Sequence, residues 1–206
     1  MPLQALIFDI DGTLADTEEL HRRCFNAAFA EAGLSWHWDP ELYTRLLEVA
    51  GGGARLRLWV QNHFGDVADQ PGNVDLASRL HKRKSELLRA ALATGEMPLR
   101  PGVESLIRTA RDKGLRMSVA TGSSRGNLEY LVGATLGGTV GDWFEVYAAG
   151  DTVENPKPAP DIYQWVLDTM GLTADQAMAF EDSDVGLASA AGAGLPVIVT
   201  PTLYSA

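Results

Sequence analysis

The chain has 206 residues, of which 46% are hydrophobic and 21% charged, and a formal net charge of −10. That size suits one generous domain or a domain carrying an insertion, and the negative charge argues against nucleic acid or an anionic membrane as a partner. A single cysteine, Cys24, excludes an internal disulfide framework, no stretch approaches the ~18 apolar residues of a membrane span, and no export signal precedes the first elements. A cytoplasmic protein is therefore expected.

The apolar run 3–8 reads as a buried strand that ends at Asp9-Ile10-Asp11-Gly12-Thr13. Carboxylates two apart on an extended backbone point the same way. Adjacent like charges repel unless a cation joins them, so two readings stand at this point. One is a divalent-metal site with an aspartate nucleophile, the other a solvated turn. A calcium loop fails, because Leu14 and Leu20 fall where an EF-hand needs Gly and Glu.

Residues 17–32 have helix composition, with Thr17 as N-cap and Gly33 as stop. Trp36, His37 and Trp38 make a short aromatic loop, and Pro40 opens a second helix ending near Val49. Gly51-Gly52-Gly53 reads as a hinge or anion-binding turn, followed by Arg55 and a helix to Phe64. A polar link over 65–73 precedes a long helix over 74–92. This run lacks strand signals and is read as an inserted cap of four helices. Its charge is nearly balanced: residues 16–95 hold 10 Lys/Arg and 11 Asp/Glu, against 7 and 16 in the remainder. A near-neutral insert rich in cations beside an acidic body suits contacts to an anionic substrate, although most such charges are solvated helix faces.

From Leu99 the pattern alternates. Helix 103–113, strand 115–120, helix 127–136, strand 146–149, helix 161–170, strand 177–180, a small-residue helix to Ala193 and strand 196–199 follow one another. That alternation predicts an α/β doubly wound parallel sheet, with residues 1–16 and 95–206 as the core domain and 17–94 as the cap. Three strand ends carry polar groups: Asp9 and Asp11, Thr121 with Gly122, Ser123 and Ser124, and Glu181-Asp182. A parallel sheet places all three on one edge, and the connection before the last also delivers Lys157. Acidic groups from separate strands can hold Mg²⁺, which prefers a few carboxylates, waters and phosphate oxygens. Thr121 and nearby backbone N–H groups can bind a phosphate oxygen, with Lys157 adding a point charge. Asp9 then serves as nucleophile.

Asp9-x-Asp11-Gly12-Thr13, Thr121, Lys157 and Glu181-Asp182, in that order and around a helical insert, resemble the four motifs of the haloacid dehalogenase superfamily. The resemblance covers essentially the whole chain. It implies a Rossmann-like core, Asp9 as the residue that forms an aspartyl-phosphate, and Asp11 as the acid/base for the leaving oxygen and for water. It also implies Mg²⁺ on Asp9, the Asp11 backbone carbonyl and Asp182, with Glu181 as ligand or supporting group. Asp184 supports the metal's waters or caps a helix.

Glu18-Glu19-Leu20-His21-Arg22, Phe25-Asn26, the Trp36 to Trp38 loop and Lys157-Pro158-Ala159-Pro160-Asp161-Ile162-Tyr163 closely resemble the CbbY-type sugar-phosphate phosphatases. The substrate class implied is xylulose 1,5-bisphosphate, an inhibitor of the carbon-fixing carboxylase. The alternatives are a β-phosphoglucomutase, whose members usually carry Val where this chain has Thr13, and a phosphoglycolate phosphatase. Thr13 leans to hydrolysis. Arg55, then Lys84, with Gly52 in the turn, are the expected contacts to a second phosphate. Glu18 and His21 are assigned to sugar hydroxyls, His21 being equally readable as a packed histidine. His37, His63 and His81 are expected at the surface. Gly53 departs from the Lys of relatives, and the chain stops at Ala206 where relatives continue with a short strand and helix. A monomer acting on a small phosphorylated sugar is expected.

Overall fold

Residues Ala5–Phe8 form a first strand, β1, whose four side chains are all buried. Their alternation feeds two different layers: Leu6 and Phe8 pack on one side, Ala5 and Ile7 on the other. A strand buried on both faces reads as a continuous apolar run, as residues 3–8 do. The structure, a computed structural model, describes residues 2–49, 51–64, 71–94 and 97–205, without the side chains of 64 and 71–74. Most of the polar link over 65–73, the expected boundary at residue 95, and Ala206 lie outside the described residues.

The other strands are β2 (Arg116–Ala120), β3 (Val146–Ala148), β4 (Ala177–Glu181) and β5 (Val197–Val199). Among the described residues they make one sheet in the order β3-β2-β1-β4-β5, with every pairing parallel. The helices α5 (Val103–Asp112) and α6 (Arg125–Thr135) cover the Leu6 and Phe8 face through Ile107, Leu128, Leu131 and Val132. Covering the Ala5 and Ile7 face are α7 (Asp161–Met170) and α8 (Asp184–Gly192), through Ile162, Tyr163, Val166 and Ala190. The fold is thus the doubly wound α/β sheet expected from the alternation.

The chain leaves β1 for β2 and β3, then returns to β4 on the opposite side of β1. Strand order therefore reverses between β1 and β4, which is where open α/β sheets bind ligands beyond the strand carboxyl ends. Register puts Phe8 beside both Val119 and Phe180, so Asp9, Ala120 and Glu181 end level with one another.

The chain packs as two compact units, Met1–Thr17 with Leu92–Ala206, and Glu18–Ala91. The second is helical: α1 (Glu18–Glu31), α2 (Pro40–Leu46), α3 (Gly52–Phe64) and most of α4 (Pro71–Ala93). Its interior is aromatic. Trp38 is fully buried against Phe25 and Phe29, with ring centroids at 4.7 and 4.9 Å. The Asn26 side-chain amide brackets the Trp38 backbone, donating to its carbonyl and accepting from its N–H, both at 2.8 Å.

Several boundaries move for local reasons. Ser124 caps α6 by accepting from Asn127 N–H, so that helix starts at Arg125 rather than at 127. Ser183, not Asp184, caps α8, its hydroxyl accepting from Gly186 N–H, and Asp184 is exposed in the first turn. Thr17 directly precedes α1, as expected of its N-cap position, and its hydroxyl donates to Asp11 Oδ1 at 2.5 Å. The glycine turn is shorter than expected. Gly51 takes φ +84°, and Gly52 and Gly53 already belong to α3.

Candidate active site

Three carboxylates meet at the β1/β4 reversal. Asp9 follows β1, Glu181 ends β4 and Asp182 comes next, and each offers an oxygen within 4.8 Å of the others. All three are buried, at 6%, 1% and 7% exposure. Their mutual repulsion is offset by one largely buried cation. Lys157 Nζ donates to Asp9 Oδ1 at 2.7 Å, to Glu181 Oε1 at 2.6 Å and to the Ala120 carbonyl at 2.9 Å. It thereby links the ends of β1, β4 and β2. Tyr163, on the first turn of α7, donates its hydroxyl to the same Glu181 Oε1.

The charges remain strained by burial. Desolvation pushes the Asp9 carboxyl well above the usual carboxylate range, with Lys157 pulling it back and Glu181 and Asp11 pushing it further up. Desolvation also raises Asp182 to about 6, opposed by a Ser205 hydrogen bond and reinforced by Glu181 and Asp11. Burial works against the Lys157 ammonium, yet Asp9 and Glu181 more than offset it and its pKa rises. Carboxylates held this close, with their charged forms disfavoured, fit a hard divalent cation with oxygen ligands.

Thr121, 1% exposed, follows β2, and its hydroxyl accepts from the Ser123 N–H at 3.0 Å. The Ser123 hydroxyl in turn accepts from the Asn127 side chain at 2.9 Å. Gly122 is exposed, and its carbonyl is crossed so closely by Gly150 that a Cβ there would lie 2.6 Å from it. The structure thus brings Asp9, Asp11, Lys157, Glu181 and Asp182 together, with Thr121 one residue beyond the Ala120 carbonyl.

Motif spacing alone does not expose several supporting residues. Tyr163 is six residues past Lys157, in a run that reads simply as a helix start. A Cβ on Gly186 would sit 1.8 Å from Glu181 Oε2, and one on Gly12 2.0 Å from Asp182 Oδ2. Both glycines therefore make room for carboxylates, a purpose that the small-residue pattern of α8 hints at without naming a target.

The expected residues of the helical unit form a separate polar chain. Glu18 Oε2 accepts from the Tyr43 hydroxyl at 2.9 Å, and Arg55 Nη1 donates to that hydroxyl at 3.2 Å. Arg55 is only 5% exposed. It also donates to the Leu46 carbonyl at 2.9 Å and the Val49 carbonyl at 3.3 Å, and its guanidinium lies over the Tyr43 ring. Arg55 thus closes the α2–α3 connection. Lys84, 4% exposed, sits with Nζ 3.2 Å from His21 Nδ1 and 4.8 Å from the Phe25 ring centroid. Gly52 fits against Phe25 and His81, which a Cβ would meet at 3.0 and 3.4 Å. His81 is accordingly half-buried rather than a surface residue, because it fills the space the glycine leaves.

The haloacid dehalogenase-like hydrolase family profile matches residues 3–194. The chain belongs to that family. It is an enzyme, a phosphoric monoester hydrolase. Among curated relatives of this hydrolase, protein CbbY of Rhodobacter capsulatus is 46% identical over 100% of this chain and 88% of its own length. Protein CbbY of Cupriavidus necator is 45% identical over 99% of the chain and 80% of its own length. The crystal structure of CbbY from Rhodobacter sphaeroides in complex with phosphate superposes with a TM-score of 0.89 at 44% identity, covering 98% of this chain and 88% of that one. A variant of that CbbY in complex with xylulose-(1,5)bisphosphate superposes equally well at 43% identity. Among the described residues of the hydrolase, no helix is long and apolar enough to cross a membrane.

Proposed function

We propose that this phosphatase is a Mg²⁺-dependent enzyme that hydrolyses a small sugar phosphate or bisphosphate, xylulose 1,5-bisphosphate first among candidates, through an aspartyl-phosphate on Asp9. The observation that carries the reading is the Lys157 bridge. It ties up Asp9 Oδ1 and leaves Oδ2 without a hydrogen bond among the described residues. A buried carboxylate with one oxygen pinned and the other open is oriented for attack on phosphorus.

The Asp9 oxygen forms its bond to phosphorus as the ester P–O bond breaks, and Asp11 gives its proton to the departing sugar oxygen. Asp11 then takes a proton from water, which attacks the same phosphorus, and the Asp9–phosphorus bond breaks to release inorganic phosphate. The Thr17 hydroxyl fixes the rotamer of Asp11 for both transfers. Thr121, with the Gly122 N–H, provides donors for the phosphoryl oxygens, and Lys157 pulls the Asp9 carboxyl back toward its charged form against burial. Asp9, the Asp11 carbonyl and Asp182, with Glu181 in support, would hold Mg²⁺, which when bound would neutralise charge on the incoming phosphate.

The helical unit is assigned the role of a cap that recognises the sugar. Glu18, His21 and Lys84 are its contact groups, while Arg55 holds Tyr43 and so Glu18 in place. The bisphosphate assignment rests on the likeness to CbbY, a variant of which has been solved with xylulose-(1,5)bisphosphate.

The test is phosphate release across a panel of xylulose 1,5-bisphosphate, ribulose 1,5-bisphosphate, β-glucose 1-phosphate and phosphoglycolate, with Asp9→Asn alongside the native enzyme. Asp9→Asn is expected to abolish release from every member. Surviving turnover in that variant overturns the nucleophile assignment. Phosphate retained on a sugar, in place of free phosphate, overturns hydrolysis in favour of a mutase.

A further inference from the structure

Arg100 lies just before α5, outside every motif of the sequence. Its guanidinium reaches three segments at once. Nη1 donates to the Gly12 carbonyl and to the Thr200 carbonyl, the latter at 2.5 Å, and lies 3.2 Å from Thr200 Oγ1. Nη2 donates to the Pro201 carbonyl at 3.1 Å, and the Arg100 backbone N–H donates to the Leu14 carbonyl at 2.8 Å. Every acceptor is neutral, and Arg100 makes no ion pair among the described residues. A guanidinium placed on neutral acceptors alone is positioned by geometry rather than by charge pairing, since its planar fork suits several acceptors held in fixed relation.

What those carbonyls belong to matters. Gly12 stands at φ +80° with its Cα against the Asp182 carboxylate. The Gly12–Thr13 peptide is pinned on both sides, its carbonyl by Arg100 and its N–H by the Ile10 carbonyl at 3.1 Å. The preceding peptide carries the Asp11 carbonyl. On the other flank, Thr200 N–H donates to the Glu181 carbonyl at 2.7 Å, and Ser205 hydrogen-bonds the Asp182 carboxylate. Thr202, Tyr204 and Ser205 are knit into one turn, Thr202 N–H donating to Ser205 Oγ at 2.9 Å and Tyr204 N–H to Thr202 Oγ1 at 3.1 Å. Both Thr202 and Tyr204 are 8% exposed. Loss of the Arg100 fork frees the loop after β1 from the segment after β5, and with it the spacing of the Asp11 carbonyl from Asp182.

We infer that Arg100 is a positioning residue for the metal site, clamping the Gly12 loop to the Thr200–Ser205 segment so that the Asp11 carbonyl and the Asp182 carboxylate are held at ligand spacing. The inference rests on the metal-site reading above. Groups that orient metal ligands without touching the metal contribute about 10–100-fold to affinity or activity.

The experiment is Mn²⁺ titration followed by electron paramagnetic resonance of the free ion, on the native protein, Arg100→Ala and Arg100→Lys. Each is also assayed for kcat and KM with and without added guanidinium. Native protein is expected to bind Mn²⁺, Arg100→Ala to bind it about 10–100-fold more weakly, and guanidinium to restore part of the loss. Lys reaches fewer of the acceptors, so Arg100→Lys should show a smaller loss that guanidinium does not rescue. If Arg100→Ala fails to fold, Arg100→Lys alone decides. A folded variant with native Mn²⁺ affinity overturns the inference and leaves the metal site intact. Absence of Mn²⁺ binding by the native protein overturns the metal reading itself, and the inference with it.

Discussion

The two units bury cations in opposite ways. In the sheet unit, Lys157 is matched to acids, Asp9 and Glu181, and the three charges form one buried network. In the helical unit, Arg55 is matched to neutral groups: two carbonyls, a tyrosine hydroxyl and the face of the same ring. The first arrangement stores charges that a phosphate and a metal can use, because excess acid sits beside the lysine. The second uses up its cation in closing a loop. Burial of a basic residue is therefore no guide to whether it meets substrate; the chemistry of its acceptors is.

Lys157→Met breaks the first arrangement most directly. It leaves Asp9 and Glu181 as buried charges with no ammonium between them, and removal of one partner from a buried pair costs about 3–5 kcal/mol. Urea unfolding should show that loss, and phosphate release should fall by about 10²–10³-fold, the scale for losing one preorganised charge-stabilising donor. Unchanged stability with lost activity would mean that the acids are already protonated without Lys157, and the charge network would have to be abandoned.

Arg55→Met separates the two kinds of buried cation. A role in closing the α2–α3 connection predicts a stability loss of about 1–3 kcal/mol, from carbonyls left without their donor. Turnover of p-nitrophenyl phosphate, which offers no sugar for the helical unit to recognise, should stay near native. A raised KM for xylulose 1,5-bisphosphate without any change in melting would instead return Arg55 to direct substrate contact.

The legibility of the two regions follows from the same contrast. Parallel strands of equal register bring their carboxyl ends level, so polar residues that end apolar runs converge whatever the side chains do. Asp9, Thr121 and Glu181-Asp182 could be collected from the sequence for that reason, and Lys157 from the connection that leads into β4. Tyr163 and Arg100 could not, since a helix start and a residue before a Pro-Gly turn carry no mark of the distant atoms they reach. In the helical unit the side-chain roles depend on helix packing that local patterns do not encode. Gly52 illustrates the limit: it reads as part of a hinge or anion-binding turn, and no local pattern shows that it opens α3 with its missing Cβ admitting Phe25 and His81.

His81 gives the smallest of these effects and the one with a defined pH signature. Burial lowers its pKa from 6.5, and the Lys84 and Arg57 charges lower it further. The unfolded chain then takes up the proton first as pH falls. Stability is full above the unfolded value, where both states hold a neutral imidazole. It declines as pH drops through that value toward the lower folded one. The Arg83 hydrogen bond holds the Glu31 carboxyl below its usual range, so it does not mask this window. Thermal melting at about pH 7 and about pH 5.5 should show a smaller acid loss in His81→Asn than in the native protein. An identical loss in both would rule out His81 as the source of the acid sensitivity, and Asp9 and Asp182 could not replace it, because carboxyls pushed up by burial add stability as pH falls.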